Sequence, residues 1–142
     1  MIKQISVFLE NKSGRLIRVA QVLGNSNINI RGLSIADTSD FGILRMIVDQ
    51  PDKAIKELKD NGIMATVTEV IAMEVPDTPG GLATVLGYME QENINIEYLY
   101  SFIEKPTSNA IIMMRVERIE DALQVLKKNN VPIVGGERIY SF

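Results

Sequence analysis

The tetrapeptide Asn27-Ile28-Asn29-Ile30 returns sixty-six residues later as Asn93-Ile94-Asn95-Ile96, and this recurrence decides how the whole chain is read. The same offset pairs Gly14 with Gly80, Leu16 with Leu82, Val19 with Val85 and Leu33 with Leu99. Further on, Ala54, Ile55 and Leu58 match Ala122, Leu123 and Leu126 at an offset of 68, so the second copy gains two residues in the loop around 105–109. Matches that keep register through helical and strand-like stretches indicate a duplicated unit rather than chance. The copies, 1–70 and 71–142, fill the chain almost completely.

Both copies run through the same order of periods. Ile5, Val7 and Leu9 alternate with Gln4, Ser6 and Glu10, the pattern of a half-buried strand. After a turn, Leu16, Val19, Ala20 and Leu23 share one helical face, and Leu82, Val85, Leu86 and Met89 repeat that spacing. Strands are expected over 28–36 and 42–48, with Leu44, Met46 and Val48 on one face and Ile112, Met114 and Val116 as their counterparts. A second helix starts near Pro51 and ends at Asn61-Gly62, a left-handed cap signal; its twin spans about 119–129. A last strand closes each copy. The order strand–helix–strand–strand–helix–strand is a ferredoxin-like unit of the α+β class, an antiparallel sheet with helices on one face. Residues 65–75 form one apolar-rich stretch without a linker, so the two units are expected to pack side by side and share one sheet.

Composition narrows the chemistry. Of 142 residues, 46% are hydrophobic and 23% charged, enough for a core and against disorder. The chain has no Cys and no His, which removes disulfides, thiolate nucleophiles, zinc–thiolate sites and the commonest general base. The formal net charge of −3 argues against broad electrostatic binding of nucleic acid. No apolar run approaches the ~18 residues of a membrane helix, and the N-terminus lacks the apolar block of a signal peptide, so a cytoplasmic protein is expected. Strands 43–48 and 111–116 hold few polar residues. Both sheet faces should then be partly apolar, and a second chain is expected to cover the open one, as a homodimer at least. Tyr98, Tyr100 and Phe102 alternate along one strand face, as a pocket lining, an oligomer surface or core.

The first strand–helix turn carries a glycine in both copies: Asn11-Lys12-Ser13-Gly14-Arg15-Leu16 and Asp77-Thr78-Pro79-Gly80-Gly81-Leu82. A helix N-terminus offers unpaired backbone N–H groups and partial positive charge, and glycine lets a ligand approach them. The turn therefore suits a small carboxylate. Equally, it suits a plain helix cap with Asn11 or Asp77 as acceptor.

Asp77-Thr78-Pro79-Gly80-Gly81-Leu82, followed at a fixed distance by Ile94-Asn95-Ile96, resembles the ACT domain, a small regulatory module whose signature is Asp-x-Pro-Gly-x-Leu, a helix, then Gly-Ile-Asn-Ile. The first copy is looser, with Asn11 for the Asp and Ser13 for the Pro, and Asn27 and Asn93 stand where the family usually has Gly. The resemblance covers nearly the whole chain as two ACT units in tandem. It implies a non-catalytic regulator that senses an amino acid where two units meet. There the first turn of one unit faces the second strand of its neighbour. By position, the ligand contacts are Asn11, Gly14, Arg15 and Leu16 with Asn29 and Ile30, and Asp77, Gly80, Gly81 and Leu82 with Asn95 and Ile96. If the units pair by a pseudo-twofold, the Asp77 loop shares its ligand with Asn29, and the Asn11 loop faces Asn95. Asp77 would accept from an ammonium; Asn11 has no charge to offer, and Arg15 would compensate by gripping a carboxylate.

The resemblance implies no metal, no cofactor and no catalytic residue, and action on a partner enzyme of amino-acid metabolism, the regulatory subunits of acetohydroxyacid synthase being one such case. Two other classes share the fold. An RNA-binding module would need aromatics on its first and third strands and a basic sheet, whereas 111–116 has no aromatic. A small phosphate-handling enzyme would need an Arg and a polar partner at a Gly turn, for which Arg15 with Asn29 is the candidate.

Overall fold

Alternating polar and apolar residues build the opening strand of each copy, and 3.6-residue periodicity builds the helices between. The computed structural model describes residues 1–10, 12–37, 40–103 and 107–142, without the side chain of Asp37. The described elements are β1 (Ile2–Glu10), α1 (Arg15–Asn25), β2 (Ile30–Asp37), β3 (Phe41–Val48), α2 (Pro51–Asp60), β4 (Ala65–Val75), α3 (Gly81–Gln91), β5 (Ile96–Ser101), β6 (Ala110–Val116), α4 (Ile119–Lys128), β7 (Ile133–Val134) and α5 (Gly136–Ser141). None of the described helices is long and apolar enough to cross a membrane. The chain divides into two compact units. One is Lys3–Thr68 with Tyr140–Phe142, called the first unit below. The other, the second unit, is Glu69–Ile139 with Met1–Ile2.

In the first unit β3 is flanked by β1 and β2, both antiparallel, with Val7 opposite Leu44 and Ile5 opposite Met46. Directly opposed residues share a face, so Ile5, Val7, Leu44, Met46 and Val48 point together. They form one core with Val19, Val22 and Leu23 of α1 and Ala54 and Leu58 of α2, which puts both helices on that face. Pro51 opens α2 at a position where its missing N–H costs nothing, and Gly62 beyond its end has φ 73°.

The second unit repeats this. β6 lies between β4 and β5, and β7 pairs β4, all antiparallel. Ile71, Met73, Val75, Ile112, Met114 and Val116 meet Val85 and Met89 of α3 and Ala122 and Leu126 of α4 in one core. The α+β class and the ferredoxin-like order expected from the periods are both observed. Residues 65–75 form one unbroken strand.

Four expectations need correction. The buried face of α1 is Val19, Val22 and Leu23, while Leu16, Ile17 and Ala20 are exposed. This helix carries two overlapping apolar stripes, and the core takes the one facing β1 and β3. Gln4, placed on the polar side of β1, is fully buried; its amide donates to Ser6 Oγ at 3.2 Å. A buried polar group is tolerated when it is bonded, and no buried side-chain polar atom among the described residues lacks a partner. The closing strand of the second copy is only two residues, after which the chain turns into α5. Finally, Ile111 and Met113, on the sheet face away from α3 and α4, are buried within the chain itself, as is Ile139 of α5. Arg138 of α5 pairs with Glu74 on β4 at 3.1 Å, which places α5 against that strand. The sheet face that carries Ile111 and Met113 is therefore not an open apolar surface. Tyr100 and Phe102 are buried as well, so they serve as core rather than as a pocket wall.

Candidate functional site

Glycine sets the geometry of both loops. Gly14 and Gly80 are the N-cap residues of α1 and α3, with φ of 89° and 83°, a left-handed conformation that disfavours other residues. Glycine at these positions has no side chain with which to cap the helix. Asn11 lies outside the described residues. The Gly81 N–H is used inside the turn, donating to the Thr78 carbonyl at 3.0 Å. Leu82, at 36% exposed, and Asp77 lie on the surface beside that first turn. The arrangement can hold a carboxylate on backbone N–H groups with an acidic side chain close by for an ammonium.

The loop of the first copy differs. Glu10 accepts from Lys12 Nζ at 3.1 Å and lies 3.7 Å from Arg15 Nη2. Arg15 is thus drawn to an internal carboxylate rather than held ready for a ligand. The hydrogen bond from Lys12, with the charges of Lys12 and Arg15, holds the Glu10 carboxyl below its ordinary range. A carboxyl with a lowered folded pKa adds stability that is present above its unfolded value and lost as pH falls through the folded one. A carbon-detected titration of Glu10 should show a midpoint below that of a free glutamate, and Lys12→Ala should move it back up.

The repeated tetrapeptide forms a second constellation. Asn27 and Asn93 take the left-handed turn expected of them, at φ 59° and 53°. Asn29 and Asn95 are exposed, and Ile30 and Ile96 open β2 and β5 opposite Val48 and Val116. Both strands carry a register irregularity directly after these isoleucines, which re-aims the strand start. Side chains from the next helix tie the turn down. Gln50 and Lys53 donate to the carbonyls of Asn27 (3.1 Å) and Ser26 (2.7 Å); Arg118 donates to those of Glu92 and Asn93, both at 2.9 Å. The Asn29 N–H donates to Asp49 Oδ1 at 3.0 Å.

Within one unit the glycine loop and the asparagine turn do not meet. They sit at opposite ends of α1 or α3, helices of 11 residues and so ~16 Å long. The same separation removes Arg15 with Asn29 as a phosphate-handling pair within the first unit. A cleft of about 390 Å³ does adjoin the Gly80 loop in the second unit, with Glu74, Thr84, Tyr88, Asn109 and Asn129 among its walls. None of those five was singled out from the sequence. They come from four different elements and loops, and no linear motif links them.

The architecture is thus a duplicated ferredoxin-like α+β unit with a glycine-led helix start in each copy. The chain belongs to the ACT domain pair family, whose model matches residues 1–141. Protein BT0572 from Bacteroides thetaiotaomicron has a similar structure, with 44% identity over 99% of this chain and 96% of that one, at a TM-score of 0.91. The regulatory subunit of aspartate kinase from Thermus thermophilus, in a ligand-free form, shares the fold at 20% identity, covering 89% of this chain and 91% of its own, with a TM-score of 0.62. That from Thermus flavus does so at 19% identity, covering 89% and 90%, with a TM-score of 0.59. No curated protein is matched by this chain. Family membership supports a regulatory, small-molecule-binding role.

Proposed function

We propose that this protein is a non-catalytic amino-acid sensor. The observation that carries the reading is the first turn of α3: a left-handed Gly80 at the N-cap, with no side chain of its own, and Asp77 exposed alongside. Backbone N–H groups there take the ligand carboxylate and Asp77 takes its ammonium. The other half of the site comes from the Asn-Ile turn of another ACT unit, since the loop and turn of one unit lie a helix length apart. The Asn11 loop is the weaker binder, because Arg15 is engaged by Glu10.

The protein works in the cytoplasm, as a homodimer, on a partner enzyme of amino-acid metabolism. Two of the fold relatives are regulatory subunits of aspartate kinase, which fits action in trans. Leu16 and Ile17 on α1 and Leu33 and Ile35 on the edge strand β2 are exposed, and they supply an apolar surface for self-association. Thermal denaturation in the presence of each of the twenty amino acids tests the reading. A true ligand at 100 times its Kd adds ~2.7 kcal/mol of stability. A panel in which no amino acid raises the midpoint contradicts it.

A further inference from the structure

The two copies hold one cleft each at matching places, and they differ in what fills it. In the first unit the cleft, about 280 Å³, is lined by Arg15, Arg18, Gly62 and Ile63 among others. In the second, the cleft of about 390 Å³ has Gly81, Thr84, Asn130 and Val131 at the corresponding positions. Arg18 and Thr84 correspond at the offset of 66, and Asn61 and Asn129 at 68. Arg18 spans its cleft: its Nη2 donates to the carbonyl of Asn61, the C-cap of α2, at 2.9 Å. A helix C-terminus carries unpaired carbonyls and partial negative charge, so a cation is at home there.

The second unit keeps the helix end and lacks the cation. Thr84 is too short to cross, and its hydroxyl turns back to the Gly80 carbonyl at 3.0 Å. Among the described residues no side chain donates to the carbonyl of Asn129, the C-cap of α4. Where the first copy has Phe8, whose ring lies tilted against that of Phe41 with centroids 6.0 Å apart, the second has Glu74, whose carboxylate accepts from Asn109 (3.2 Å) and Arg138 (3.1 Å). Glu74 is thus neutralised by Arg138, and the difference between the clefts is the guanidinium that the first holds at its helix end and the second lacks.

We infer that the second-unit cleft binds the cationic group, guanidinium or ammonium, of a small molecule, in the place that Arg18 takes in the first unit. Arg18 acts as a built-in occupant of its own cleft, so the chain has one such site, not two. The inference deepens the sensing reading, and rests on it, by naming a cation as the part of the ligand that the second unit selects.

Amide NMR of the full chain, titrated separately with L-arginine, L-lysine and L-citrulline, tests it. Citrulline keeps the shape and the α-ammonium of arginine and lacks only its side-chain charge, the cation at issue. Arginine or lysine should shift the amides of Thr84, Tyr88, Asn129 and Val131 with one site per chain, and citrulline should leave them in place. Thr84→Arg installs the first unit's plug and should abolish those shifts, while Thr84→Ser preserves them. Arg18→Ala, independent of whether the arginine variant folds, removes the first unit's plug and should raise the stoichiometry to two sites per chain. Equal shifts from citrulline, cation binding that survives Thr84→Arg, or no shift at these amides overturns the inference. Amino-acid binding that Asp77→Ala removes and Thr84→Arg leaves intact would retain the sensing reading and discard the cation cleft. The reverse pattern would retain the cleft and discard the Asp77 site.

Discussion

Gly81→Ala should destabilise the second unit by about 3 kcal/mol, the upper end of what overpacking costs. A Cβ built on Gly81 would lie 2.1 Å from the carbonyl oxygen of Pro76, a backbone atom that no rotamer change can move aside. The obstruction is in the loop itself, so the Asp77–Leu82 turn would have to open and ligand binding would be lost with it. Gly87→Ala is the matching control. It sits inside α3 with nothing within 4 Å of the added methyl, and should stabilise by ~0.4–1 kcal/mol, chiefly by restricting the unfolded chain. Urea denaturation followed by circular dichroism reads both. Equal stabilities for the two variants would mean that the loop relaxes around a side chain and that its glycine is not required.

The second large effect belongs to the core. Leu126 of α4 is fully buried among Val85, Met89, Met114 and Val116. Leu126→Ala should cost ~2–5 kcal/mol, the lost transfer energy plus the cavity left behind. Its first-copy twin Leu58 is also fully buried, and Leu58→Ala falls in the same range. Leu82→Ala, by contrast, removes a side chain that is 36% exposed and should cost under half as much in the same urea experiment. A Leu82 loss as large as that of Leu126 would contradict the burial described.

The repeat and the two periods were enough to place every long element. Register between strands followed from alternation, because one face of each sheet must be apolar, as Leu44, Met46 and Val48 show. What could not be read has local causes. Six residues of α5 make fewer than two turns, too few for a period to emerge, and Gly135-Gly136 at its start signals only a break. The rotation of α1 was ambiguous because Leu16, Ile17 and Ala20 form a stripe as convincing as Val19, Val22 and Leu23. Gln4 looked solvated since alternation says nothing about what covers a strand's second face.

The candidate site was legible only in its backbone half. Gly14 and Gly80 stood out because both copies keep them, and each has the positive φ that explains why. The special demand on Gly81 was hidden, since the first copy has Arg15 there. The Glu10 N-terminal turn differs too: its carbonyl accepts from the Lys12 N–H at 2.8 Å, whereas the Pro76 carbonyl leans over the helix start. Divergence between copies, such as Thr84 against Arg18, carries chemical information that the matching positions conceal.

Titration calorimetry of the wild type, Asp77→Ala and Asn11→Ala with the amino acid that stabilises the protein most tests the central claim directly. Asp77→Ala should weaken binding by ~1–3 kcal/mol, the usual consequence of losing a charge-assisted hydrogen bond, and Asn11→Ala by less. Identical affinities for all three proteins would contradict the account, leaving the glycine loops as helix starts and nothing more.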